Sequence, residues 1–243
     1  MKITYLYHSG FALEFEKISV VIDYYGAGFG PELPPALSHI LDDRSRKLYV
    51  LSSHDHKDHF DSRILSFEAI REDVVYVFSS DIATNMTTLG VRPKTISYIC
   101  DGESYSDGNI SIHAFGSTDE GISFIIQADG KNIFHAGDLN NWHWNEECPP
   151  DESALYETNF LAELEKLALR FPSLDVALFP VDPRLGKDFC RGAEQLVTRI
   201  KTACFIPMHF GDKYEAANSF KPIAEKHDVR FFELSHKGQV IEL

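Results

Sequence analysis

The order of short apolar runs constrains the fold of this chain more than any other feature. Three β-rich runs open it, 3–7, 11–15 and 20–23, separated by Gly10 and by Glu16-Lys17, and they read as a meander of strands. A Gly-rich loop over 26–31 and a short helix over 34–41 lead to a strand over 47–52. Helices are predicted near 62–71 and 81–89, with strands over 74–78 and 95–99. The second half repeats the scheme. Strands over 110–115, 122–128 and 131–135 come first, and Asp129-Gly130 between the last two is a type I′ hairpin signal. A helix over 152–170 follows, in which Phe160, Leu161, Leu164, Leu167 and Ala168 recur at three- and four-residue steps. Strands over 176–180, 204–208 and 230–234 then alternate with helices over 188–201 and 215–226. Strands followed by helices, twice, predict two sheets face to face with helices outside: an α/β fold of the four-layered αββα sandwich type. No Ser/Gly linker and no low-complexity segment divides the chain, so residues 1–243 read as a single domain.

Composition narrows the functional classes. With 44% hydrophobic and 25% charged residues the chain is neither disordered nor fibrous. Its longest apolar runs fall far short of the roughly 18 residues a membrane span needs, and its start lacks a signal-peptide core, so no membrane association is expected. A formal charge of -14 argues against a nucleic-acid partner held through phosphates. Cys100, Cys148, Cys190 and Cys204 are widely spaced and fit free thiols in a reducing compartment, which points to the cytoplasm.

Directly after the strand over 47–52 stands His54-Asp55-His56-Lys57-Asp58-His59. Three imidazoles and a carboxylate in H-x-H-x-D-H spacing are ligands that Zn²⁺ and its first-row neighbours prefer. On a turn leaving a strand, His54 and His56 can face one side and Asp58 and His59 another, so one hexapeptide serves two metal positions. An exposed polar loop is the plainer reading of six such residues. Ligand-like residues at two later strand ends favour a metal site: Asp138 after Ala136-Gly137, and His209 after Pro207-Met208.

These motifs, with His8-Ser9-Gly10, Ile22-Asp23 and His135-Ala136-Gly137-Asp138, resemble the metallo-β-lactamase superfamily over nearly the whole chain. Within it, the start and the Gly137-Asp138 turn are most similar to the branch of ascorbate-6-phosphate lactonase and related hydrolases. The resemblance implies the αββα fold and a metal centre at one edge of the sandwich. It implies that His54 and His56 hold a first metal, that Asp58, His59 and His209 hold a second, and that Asp138 bridges. One departure stands out. Family members usually carry a further His after the strand over 110–115, where this chain has Ser117. Asp119 is a candidate replacement, with a plain polar turn as the alternative; oxygen ligands there would favour Mn²⁺ or Fe over Zn²⁺.

The expected cofactor is therefore one or two divalent transition metal ions, Zn²⁺ or Mn²⁺, with Fe also compatible. The expected activity is hydrolysis of a small-molecule ester, lactone or phosphoester by a metal-activated hydroxide, with Asp58 as the catalytic carboxylate. His143, between Trp142 and Trp144, and Arg184, after Asp182-Pro183, are candidate substrate-binding residues. His135 reads as a core or supporting histidine rather than a ligand; His8 has the same two readings, and the resemblance of the His8-Ser9-Gly10 start leans it towards function. No G-x-S-x-G elbow and no Walker-type loop offers another chemistry. Two alternatives remain: a phosphodiesterase or nuclease of the same fold, and a metal-binding protein that has lost turnover.

Overall fold

A computed structural model describes residues 1–30, 32–89 and 95–243. The first sheet holds β1 (Lys2–Tyr7), β2 (Gly10–Glu14), β3 (Ile18–Ile22), β4 (Lys47–Ser52), β5 (Val74–Ser79) and β6 (Ile96–Ile99) in chain order. The second holds β7 (Ser104–Ser106), β8 (Ser111–Phe115), β9 (Ser123–Ala128), β10 (Lys131–His135), β11 (Ser173–Pro180), β12 (Lys201–Met208) and β13 (Arg230–Phe231). The last strand, β14 (Val240–Glu242), returns to pair antiparallel with β1, so each sheet has seven strands. Each sheet is part antiparallel and part parallel: β3 to β6 run parallel in the first, and β10 to β13 in the second.

Both faces of the first sheet are covered, and β4 shows why its sequence is apolar throughout. Tyr49 and Leu51 point into the core between the sheets, which they share with Phe124, Ile126 and Ile133. Leu48 and Val50 point the other way, onto Leu37, Ile40 and Leu41 of α1 (Pro35–Asp42) and Phe67 of α2 (Phe67–Ile70). On the outer face of the second sheet, α4 (Pro150–Arg170) buries Phe160, Leu164 and Leu167 beside α5 (Arg191–Arg199). The αββα sandwich is present. Among the described residues no helix is long and apolar enough to cross a membrane.

Several expected boundaries shift for local reasons. The helix expected over 215–226 is two, α6 (Tyr214–Asn218) and α7 (Lys221–Lys226), because Pro222 has no N–H to continue the ladder. The helix expected over 62–71 begins as a 3₁₀ turn over Ser62–Ser66, capped by the Asp61 carboxylate, before α2. The helix near 81–89 is α3 (Ile82–Leu89). The loop expected over 26–31 contains a 3₁₀ turn at Gly26–Gly28, and its last residue lies outside the described residues. Asp129 and Gly130 take positive φ of 48° and 71°, the conformation a type I′ turn requires. The short strands β7 and β14 carry too few residues for periodicity to reveal them.

Candidate metal centre

Because β1 and β3 are both antiparallel to β2, and β4 is parallel to β3, these three strands end at one edge of their sheet. In the second sheet β10, β11 and β12 are parallel and also end together. The residues just past these ends meet: His8 after β1, Asp23 after β3, the 53–60 turn after β4, Asp138 after β10, Asp182 after β11 and His209 after β12.

Two groups of donors form there. His54, His56 and Asp138 offer ligand atoms within 4.8 Å of one another, and so do His8, Asp58, His59 and His209. Asp138 lies between them. Its Oδ2 is 3.4 Å from His54 Nε2, while its Oδ1 is 3.0 Å from His59 Nε2 and 3.2 Å from His209 Nε2. The Nε2 atoms of His8, His54 and His59 and the Oδ1 of Asp138 are buried without a hydrogen-bond partner. An unsatisfied buried polar atom costs about 1–3 kcal/mol, and four converging on one volume are explained if they share cations. The imidazole and carboxylate donors are those that Zn²⁺, Mn²⁺ and Fe accept, so the residues present fit such ions.

The surrounding hydrogen bonds aim the rings. Asp23, fully buried, accepts from Ser53 N at 2.8 Å, from Ser53 Oγ at 2.6 Å and from His59 Nδ1 at 2.7 Å. Ser53 Oγ in turn lies 3.0 Å from His54 Nδ1. Across the site, Asp182 accepts from His209 Nδ1 at 2.8 Å and from Arg184 Nε at 2.9 Å. The bonds to His59, His54 and His209 seat a proton on Nδ1 and aim Nε2 at the centre. Strain is concentrated here too: His8, Asp23 and His209 hold positive φ of 57°, 45° and 65°. His8 N donates to the Tyr5 hydroxyl and His209 N to His8 O, both at 3.0 Å, which fixes the two strained turns to each other. Gly137, at φ 54°, admits no side chain, since a Cβ there would stand 2.7 Å from Ile122 O.

The charges follow from this packing. Burial opposes a proton on His59, but Asp138 and Asp23 outweigh it and push its pKa up to about 10. Burial and the neighbouring His59 push His54 down to about 4. Burial works against ionisation of Asp138, yet His209 and His59 hold its carboxyl well below the usual range. Asp182 is likewise disfavoured by burial and held at about 2 by hydrogen bonds from His209 and Arg184.

Residues 2–209 match the profile of the β-lactamase superfamily domain. The chain belongs to that superfamily. It is 28% identical to a UPF0173 metal-dependent hydrolase of Desulforamulus reducens, with all of both chains covered. It is 26% identical to another from Alkaliphilus metalliredigens, over 86% of this chain and 85% of the relative. Among solved structures, Igni18, a metallo hydrolase from Ignicoccus hospitalis, superposes with TM-score 0.70 at 19% identity, covering 99% of this chain and 97% of its own. CmlA, a diiron β-hydroxylase from Streptomyces venezuelae, superposes with TM-score 0.66 at 13% identity over all of this chain and 54% of its own. At these identities the two structures establish the fold alone.

The loops beyond this edge wall the approach to the centre. A cleft of about 330 Å³ opens above Asp138 and His209, walled by Thr118, Trp142, Trp144, Tyr156 and Arg184. Asp119 is exposed and lines this cleft but belongs to neither donor group, so the structure places it with the walls rather than with the ligands. Ser117 is engaged locally, its Oγ accepting from Asp119 N at 3.3 Å. Arg184 lines the cleft while paired with Asp182. His143 is a correction to the expected substrate contact. Its ring is buried, with Nε2 on Asp188 O at 3.2 Å and Nδ1 accepting from Asn145 N at 3.2 Å, and it does not line the cleft. His135 is similarly committed, to Ser9 O at 2.8 Å and Gly137 N at 3.2 Å.

Asp23 and Asp182 support the site, and His8 lines it, without a local motif that marks them. Their one visible signal was position, an acidic or imidazole residue just past a strand end. The two tryptophans differ in role: Trp142 Nε1 donates to Asp138 O at 2.8 Å, anchoring that turn, and Trp144 stacks on it at 6.2 Å.

Proposed function

We propose that this protein is a metal-dependent hydrolase of a small anionic ester, lactone or phosphoester. The observation that carries the reading is the pair of donor groups sharing Asp138 on the floor of a small cleft. The names of the sequence relatives support it. In it, His54 and His56 hold a first metal position, Asp58, His59 and His209 a second, and Asp138 contributes to both. When bound, such ions acidify water and polarise a carbonyl or phosphoryl oxygen. The chain's own residues do the rest. Asp58, a side chain 39% exposed, faces the cleft. Burial opposes its charge, but the neighbouring imidazole of His8 and the charge of His59 hold it far below the usual carboxylate range. It is therefore ionised at neutral pH and placed to orient the attacking water and accept its proton. Arg184, the one Arg or Lys among the cleft's described lining residues, receives the anionic group of the substrate. Trp142, Trp144 and Tyr156 exclude water from the remainder. A sugar-acid lactone or its phosphate, as in the ascorbate-6-phosphate lactonase branch, suits a cleft of this size.

A panel of lactones, carboxylic esters, phosphomonoesters and phosphodiesters, assayed with Zn²⁺, Mn²⁺ or Fe²⁺ and with chelator, tests the proposal. Chelator-sensitive turnover that Asp58→Asn abolishes and Arg184→Ala weakens through KM for anionic substrates is expected. A second reading has its own observation: the first donor group holds only three residues, with no ligand at Ser117. Stoichiometric metal without turnover on any member of the panel would select it, as a metal-binding protein that has lost catalysis.

A further inference from the structure

We propose that His8 is a ligand of the second metal position, which makes that position a five-donor site that fills first. The inference rests on the metal-centre reading above and goes beyond it in assigning the residue and the order of filling.

Three observations carry it. First, His8 Nε2 is buried without a hydrogen-bond partner, although Asp58 Oδ2 is only 3.3 Å away. An imidazole nitrogen that close to a carboxylate oxygen yet not aligned for a hydrogen bond is in the position of a fellow ligand, as two atoms bound to one ion at about 2.0–2.2 Å stand roughly 3–4 Å apart. The same spacing relates His59 Nε2 and His209 Nε2 to Asp138 Oδ1, at 3.0 and 3.2 Å. Second, the ligand atom of His8 lies within 4.8 Å of those of Asp58, His59 and His209. Its ring packs 4.1 Å from that of His209, centroid to centroid. Third, the backbone is held in a costly conformation to put it there. His8 sits at φ 57°, in the left-handed region, pinned by Tyr5 through its N–H and by His209 through its carbonyl. A residue that merely filled space would not require the turn to be strained and then fastened to the strand end that carries another donor.

With His8 counted, the second position has His8, Asp58, His59, His209 and the shared Asp138, whereas the first has His54, His56 and Asp138. The first also has the more exposed donor, His56, while His59 and His209 are buried. More donors, held by Asp23 and Asp182 before any ion arrives, lose less freedom on binding. The second position therefore binds the first equivalent.

The test is stepwise titration of chelator-treated, full-length protein with Co²⁺, followed by visible absorption and by competition with a chelator. His8→Asn is the informative variant, since Asn tolerates the left-handed conformation that Ala resists. Circular dichroism of its metal-free form checks that it folds. His8→Asn should weaken the first equivalent by more than about 100-fold, beyond the roughly 10–100-fold that losing a supporting hydrogen bond produces, and alter its spectrum. His56→Ala should leave that equivalent unchanged and abolish the second. A smaller loss in His8→Asn, or an unchanged spectrum, overturns His8 as a ligand while the metal centre stands. Loss of the first equivalent in His56→Ala overturns the filling order. Failure of wild-type protein to bind Co²⁺ at all removes both this assignment and the metal-centre reading.

Discussion

Replacing Asp23 by Asn changes one atom, yet it should disable a metal position that Asp23 never touches. The substitution keeps the side chain's shape, and Asn is at ease at φ 45°. What changes is the pattern of donors. Asp23 accepts three hydrogen bonds, two of them on Oδ2, from Ser53 Oγ at 2.6 Å and His59 Nδ1 at 2.7 Å. An amide nitrogen at that corner is a donor and cannot accept from His59 Nδ1. In its neutral form the ring must then carry its proton on Nε2, which faces Asp138 and is the atom required for coordination. Turning the amide over sets its NH₂ against Ser53 N–H instead. Either arrangement loses a charge-assisted bond worth about 1.5–3 kcal/mol. Expressed as affinity, about 1.4 kcal/mol per tenfold makes this roughly 10–100-fold weaker binding at the second position, the range seen when such supports are removed. His54 reaches Asp23 only through Ser53 Oγ, so the first position should lose less. Chelator competition at each site measures the loss, and ¹⁵N spectra of the metal-free protein, taken above the His59 pKa so that the ring is neutral, report the proton's location. Wild-type affinity, or His59 still protonated on Nδ1 alone, would refute the reasoning.

Asp138→Ala should empty both metal positions, whereas His56→Ala should empty only the first; equal losses of metal per chain would contradict the shared role of Asp138. Asp119→Ala should leave metal content unchanged and raise KM, because its carboxylate lines the cleft outside both donor groups; loss of one metal per chain would return it to the ligand set. The metal-free protein should lose stability as pH rises towards 10. A proton on His59, whose pKa is raised from 6.5 to about 10, stabilises the fold fully below 6.5 and progressively less up to 10. A bound ion must displace that proton, so the rise in Tm on adding metal should grow between pH 6.5 and 8.5; a rise that shrinks over this window would show that His59 is not displaced.

The sequence by itself determined the layers and most of the donors. Apolar runs such as 48–51 can be buried on both sides only in a covered sheet, and repeated strand-then-helix order leaves few architectures for them. His54, His56, Asp58 and His59 were legible because one turn carries them all, and Asp138 and His209 because each follows a strand beside Gly or Pro. Only the tertiary structure decided the rest, since hydrogen bonds between strand ends far apart in the chain leave no local pattern. Asp23 and His59 are 36 residues apart, and Asp182 and His209 are 27. Whether an imidazole is a ligand or a brace depends on what its two nitrogens meet. His143 and His135 spend both on neighbouring protein atoms, while His8 keeps a buried nitrogen without a partner. Residue type is local information, but the partner of a side-chain atom is set by the packing of the whole edge.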